Sequence, residues 1–210
     1  MAVENFTTYT EVDAGSKLTV TATKADASNA AATEYVLLYK DFGAGYFNAL
    51  DADVTLLITT NSGTNSATGG IMFLNSPANP ATTSIQQAAS PDICAFTYKY
   101  NTAYSIYLFR GNGTALDSYT ISANTAYYCT VSHTASSDTV NVYIYNDSGR
   151  TTLIDTLTVA GYGTGARWRY VYGFANRKFD EANGQFYGYV ENLDLNIATP
   201  TVNSGFFGLM

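Results

Sequence analysis

The chain has 210 residues, ten Lys+Arg against seventeen Asp+Glu for a formal charge of −7, and is 46% hydrophobic, 14% aromatic and only 13% charged. So acidic and charge-poor a chain has no basic footprint for nucleic-acid phosphates and is repelled by an anionic membrane surface. Its many aromatic and β-branched residues exclude disorder, and the length suits one large β domain.

The opening Met1–Phe6 has neither the basic nor the apolar region of a secretory leader, and no apolar run reaches the roughly 20 residues of a membrane helix. From there nearly every segment alternates with period two. Leu18, Val20 and Ala22 oppose Thr19, Thr21 and Thr23. Denser runs at Tyr35–Tyr39 and Val54–Ile58 read as central strands, with Gly43 and Gly45 turning between them. Gly70–Leu74 precedes an irregular stretch around Pro77 and Pro80, where Gln86–Ser90 offers one helical turn at most. Further strands are expected at Ala95–Lys99, Tyr104–Arg110, Asp117–Ile121, Tyr127–Ser132, Val140–Tyr145, Leu153–Val159, Trp168–Phe174 and Phe186–Leu195. Gly111–Gly113 and Asn146–Gly149 carry hairpin turn signals. The pattern predicts an all-β, two-sheet antiparallel sandwich or jelly roll over residues 1–196, followed by a tail at 197–210. Cys94 and Cys129 lack metal or redox spacing and are expected as free thiols, Cys129 buried in its strand, with a disulfide between them the alternative.

Alternation also allocates the aromatics. Tyr143 and Tyr145 share a face with Asn141 against Val140, Val142 and Ile144, while Tyr187 and Tyr189 oppose Phe186 and Val190. Most of the eighteen tyrosines are read as cross-strand pairs stabilising a second sheet face, and a few as the lining of a site for glycan or partner. Arg167, Arg169, Arg177 and Lys178 gather around Trp168. They either grip an acidic ligand or, by default, pair with Asp180 and Glu181.

Catalytic constellations are absent from the pattern. Glu11 and Asp13 begin an E-x-D-x-E strand whose third acid is missing, and read as a solvated strand end. Glu191 and Asp194, three apart, fall on opposite faces of a strand, a poor acid/base pair. Asp41, Asp51 and Asp53 are calcium candidates through oxygens on one face, with a loop-end acidic pair the plainer reading. His133 is the only histidine, and no nucleophile elbow or dinucleotide fingerprint accompanies it.

Phe6–Asp13 with Leu18–Ala22 resembles the opening of concanavalin A-like (laminin-G-like) jelly-roll domains, in a version associated with tailed-phage and environmental viral genomes. Tyr39–Gly43 with Tyr46-Phe47, Tyr143–Ser148 with Arg150–Leu157, Arg169–Tyr172 and Gly188–Leu195 are similar to later signatures of that group, in the same order. The resemblance implies a jelly roll of about 12 to 14 strands. It also implies a non-catalytic virion surface protein, a capsid decoration or fibre-associated domain with capsid proteins and cell-surface glycans as partners. A secreted carbohydrate-binding lectin is the alternative and a glycoside hydrolase the third reading, since the glucanase acids are not matched. Homo-oligomer formation fits either leading reading, and no cofactor besides calcium is implied. Under these readings the binding residues are Tyr143, Tyr145, Tyr187, Tyr189, Trp168 and Arg169, while Phe206, Phe207, Leu209 and Met210 form a docking tail.

Overall fold

A computed structural model describes residues 3–31, 33–44, 46–62, 65–85, 88, 92–100, 102–111, 116–165, 167–176 and 184–196. The fourteen strands in chain order begin with β1 (Thr10–Asp13), β2 (Leu18–Val20), β3 (Lys24–Ala31), β4 (Val36–Asp41) and β5 (Leu50–Ser62). Next come β6 (Asn65–Leu74), β7 (Ile93–Tyr100), β8 (Ala103–Arg110), β9 (Leu116–Ile121) and β10 (Tyr127–His133). The last are β11 (Thr139–Tyr145), β12 (Leu153–Ala160), β13 (Tyr170–Asn176) and β14 (Gln185–Asp194). They form two seven-stranded sheets, β1-β4-β13-β6-β7-β8-β9 and β12-β11-β10-β5-β14-β3-β2. Every pairing is antiparallel. This is the predicted two-sheet jelly-roll sandwich.

The alternation that predicts the strands is the burial pattern observed. In β10, Tyr127, Cys129, Val131 and His133 point inward while Tyr128, Thr130 and Ser132 point out. The inward residues of both sheets, with Phe73, Phe174, Phe186 and Trp168 among the largest, make one core. A second cluster lies on the other side of the first sheet, where Leu37, Met72, Leu74, Phe96 and Tyr172 meet Ile85 and Ala88 from the chain between β6 and β7. The Tyr172 hydroxyl donates to the Pro80 carbonyl at 2.9 Å and ties that cover down. Hence Val36-Leu37-Leu38 is continuously apolar: a strand buried on both faces has no polar side to alternate with. Among the described residues, no such cluster covers the outer face of the second sheet. The edge of β12 is not left bare, because Asp117 accepts from the Thr158 N–H at 2.8 Å and Arg110 donates to the Ala160 carbonyl at 3.1 Å.

Strand β3 was not expected from its sequence, which lacks large apolar residues. Ala25, Ala27 and Ala30 supply its inward face, and Asn29, at φ 63°, takes up an irregularity in the register with β14. Strand β13 starts at Tyr170, later than expected, with Trp168 making an isolated two-way bridge to Phe47. Both cysteines are buried and neither is in a disulfide. Cys129 lies between the sheets and Cys94 in the second cluster beyond the first, so a sheet separates them. Burial pushes the Cys129 thiol up to about 12. The expected helical turn at Gln86–Ser90, the hairpin tip at Asn112-Gly113 and the tail at 197–210 lie outside the described residues, apart from buried Ala88.

Candidate functional site

Register aligns the outward side chains of the second sheet into rows. Tyr143 lies opposite both Thr156 and Thr130, Thr130 opposite Asp53, and Asp53 opposite Asp194. The next row joins Tyr145, Tyr128, Thr55, Glu191 and Lys24. A third joins Leu57, Tyr189 and Asp26, and Tyr187 pairs with Thr60. All four tyrosines predicted for recognition therefore stand on one open face. Strands β10 and β5 separate the two pairs by three strand spacings, about 14 Å.

The strip between them is polar and acidic. Asp53 accepts from the Thr130 hydroxyl at 2.5 Å and pairs with Arg150 at 3.2 Å. Arg150 reaches it from the β11–β12 hairpin, where it sits at φ 52°. Asp147 braces that turn by accepting from the backbone N–H of Thr151 and Thr152. A cavity of about 230 Å³ opens here, lined by Asp53, Thr55, Tyr128, Arg150, Asn192 and Asp194. Burial, then the nearby Asp53, raises the Asp51 carboxyl above its ordinary value. The Tyr145 hydroxyl is raised by the same two causes. Burial and Glu191 raise Tyr189, opposed by Lys24, whose Nζ lies 4.1 Å above the Tyr189 ring.

Two readings of the acids change. Glu191 and Asp194 do not fall on opposite faces: Asn192 adopts φ 54° and shifts the register, so Val190 and Leu193 both enter the core and the two acids both face out. The three calcium candidates are not brought together either. Asp41 ends β4 in the first sheet and is held by Arg169 through bonds of 2.7 and 2.6 Å, whereas Asp51 and Asp53 stand on β5 of the second. Among the described residues no group of three or more His, Cys, Asp and Glu is placed to hold a metal ion.

Trp168 and Arg169 do not join the tyrosine face. Trp168 is wholly buried, its ring edge-on to His133 at 4.8 Å, so no ligand reaches it. Arg169 forms its ion pair with Asp41, rather than the default pair with Asp180 or Glu181, and holds the Asp41 carboxyl down to about 2. Arg177, Lys178, Asp180 and Glu181 lie outside the described residues. Glu11 is exposed, while Asp13 braces the β1–β2 turn by accepting from the Leu18 N–H at 2.6 Å. Sequence reasoning missed Tyr128, which the alternation of β10 had already turned outward, and Arg150, whose reach depends on a hairpin conformation that no pattern announces.

His133 closes the inner side of this sheet. Its Nε2 lies 3.1 Å from the Ser137 carbonyl, and burial pushes its pKa below the ordinary 6.5. The fold thus favours the neutral ring, and below pH 6.5 the unfolded chain takes up the proton more readily. Stability is fully present above that pH and is lost as pH falls through it. Thermal unfolding followed from pH 7.5 to 5 is expected to show a falling midpoint, and His133→Gln to flatten that slope, because no other side chain ordinarily titrates there.

No family model and no curated protein sequence matches the chain. Among solved structures, a functionally unknown protein from Saccharomyces cerevisiae superposes with a TM-score of 0.56 at 12% identity, over 90% of this chain and 96% of that one. The exoplasmic/lumenal domain of VIP36, in a form bound to Ca2+ and Man3GlcNAc, superposes with a TM-score of 0.51 at 8% identity, over 92% and 85% of the two chains. The fold is the concanavalin A-like jelly roll. A sialidase also contains it: 92% of this jelly roll superposes on 18% of that chain, with a TM-score of 0.51 at 11% identity. The same scaffold therefore occurs in an enzyme-named chain and in a sugar-bound domain, and function must be argued from this chain's own residues.

Proposed function

We propose that the open face of the second sheet is a non-catalytic carbohydrate-binding surface. The observation that carries this is a cavity lined by Tyr128, Asp53 and Asp194, with Tyr145 opposite Tyr128 and Tyr143 on the same outer face. Tyrosine rings offer flat apolar faces with a polar rim, and carboxylates accept the hydrogen bonds that sugar hydroxyls donate. Fold analogy adds support, since the VIP36 domain was solved with a bound oligosaccharide. The face carries more acids than bases, so it suits neutral sugars and repels uronate or sulfated ones. Side-chain acceptors of this kind require no metal, and binding is expected to survive a chelator.

An array of neutral and anionic glycans tests the proposal. Neutral saccharides are expected to bind, with Tyr145→Ala and Tyr128→Ala each weakening binding about tenfold, or ~1.4 kcal/mol, and no reducing ends released. Binding untouched by both substitutions, or release of reducing ends, overturns the assignment. The narrower reading, a capsid decoration or fibre-associated domain on a virion, is supported by the sequence resemblance to viral versions of the fold. Purified particles carrying the chain at fixed stoichiometry are its expected result. Glycan binding without particle association would favour the secreted lectin.

A further inference from the structure

The open face runs, where β5 begins and β10 ends, into a larger cavity of about 530 Å³. Its walls include Tyr46, Asn48, Asp51, Ser132, His133 and Asn196. Tyr46 stands on the wall with 51% of its surface exposed. Its ring packs against two others: the Phe42 and Phe47 centroids lie 5.4 and 4.8 Å away, and Phe47 is itself buried. An exposed aromatic held by two others is a rigid platform, so little side-chain freedom remains to be lost when something stacks on it. Asp51, Asn48 and Asn196 supply an acceptor and two amides in the same cavity.

This cavity adjoins the site already described. Asp51 lies opposite Ser132 in the row that passes through Asn141 to Thr158, and the same strand carries Asp53 and Thr55 on the same face. From Asp51 to Thr55 is about 14 Å of strand.

We infer that the Tyr46 cavity is a second sugar-ring subsite, so that the face takes a neutral oligosaccharide longer than a disaccharide. The inference rests on the carbohydrate reading above. One ring stacks on Tyr46 with its hydroxyls toward Asp51, Asn48 and Asn196, and the chain continues past Asp53 to Tyr128 and Tyr145.

The test uses the full chain and neutral glucan, mannan, galactan and xylan oligosaccharides as di-, tetra- and hexasaccharides. Tyr46→Ala is expected to weaken binding of the bound tetra- and hexasaccharides about tenfold while leaving disaccharide binding within about twofold. Tyr46→Phe, which keeps the ring, is expected to restore the longer ligands. Aromatic resonances of Tyr46 are expected to shift with the hexasaccharide. Because the side chain is half exposed, an unchanged unfolding midpoint separates lost binding from lost fold. Binding that Tyr46→Ala leaves intact at every length, or weakens equally for disaccharides, overturns this inference and leaves the parent reading standing. If the unaltered chain binds no saccharide of the set, the parent reading falls and this one falls with it.

Discussion

Asn176→Leu is expected to destabilise the fold by roughly 3–5 kcal/mol. Asn176 ends β13 with no exposed surface. Its Oδ1 accepts from the Val36 N–H at 3.0 Å, and its Nδ2 donates to the carbonyls of Ala31 and Glu34 at 3.1 and 2.7 Å. Ala31 ends β3 in the second sheet and Val36 begins β4 in the first, so one amide ties down the crossing between sheets. Leucine matches the shape and removes all three partners at a point water does not reach. Each backbone group left without a partner costs about 1–3 kcal/mol. Urea unfolding of the variant against the parent measures the loss, and a difference under about 1 kcal/mol would sink the argument. Asn176→Asp keeps the acceptor but loses both donors and buries a charge, so it is expected to recover none of the stability.

Gly70→Ala and Gly188→Ala are each expected to cost about 3 kcal/mol or more, because both glycines mark close backbone approaches. A Cβ on Gly70 would fall inside contact with the Ala95 carbonyl oxygen and the Phe96 Cα. One on Gly188 would strike the Leu57 carbonyl oxygen, with the Phe186 ring at 2.7 Å and the Ile58 Cα at 3.0 Å. These obstacles are mainly neighbouring strands, which cannot swing away as a side-chain tip can. Relief requires parting β6 from β7, or β14 from β5. Denaturant midpoints of the two variants check the prediction. For Gly188→Ala the proposed glycan binding is expected to fail along with stability, because β14 carries Asp194 of the cavity. A midpoint unchanged in either variant would show that the sheets tolerate the separation.

The legible parts of this protein are those where period-two alternation is strong. Val140–Tyr145 and Tyr127–Ser132 present to the core the residues their pattern predicts, and Tyr143, Tyr145, Tyr187 and Tyr189 all stand on the outer side of the same sheet. Strand β3 was illegible because its inward face is alanine: the space there is small, and nothing in Lys24–Ala31 advertises burial. Glu191 and Asp194 were misread because alternation assumes an unbroken pleat, and Asn192 breaks it with a left-handed residue. Trp168 and Arg169 enter the expected binding set through the basic residues clustered around them in the sequence. A residue whose backbone bridges Phe47 while its ring meets His133 inside the core, and a guanidinium held by a carboxylate 128 residues earlier, are long-range outcomes.

By itself, then, the sequence determined the all-β class, the antiparallel sandwich, the net negative charge and the side of each strand on which its tyrosines lie. Those properties follow from local periodicity and total charge. The tertiary structure alone decided which tyrosines share a face, that Asp53 and Asp194 meet beside Tyr128, and that the 46–50 connection props an aromatic ring at the end of the same strip. Strand order and register are set by contacts between residues far apart in the chain, and a period of two says which way a side chain points but not what stands next to it.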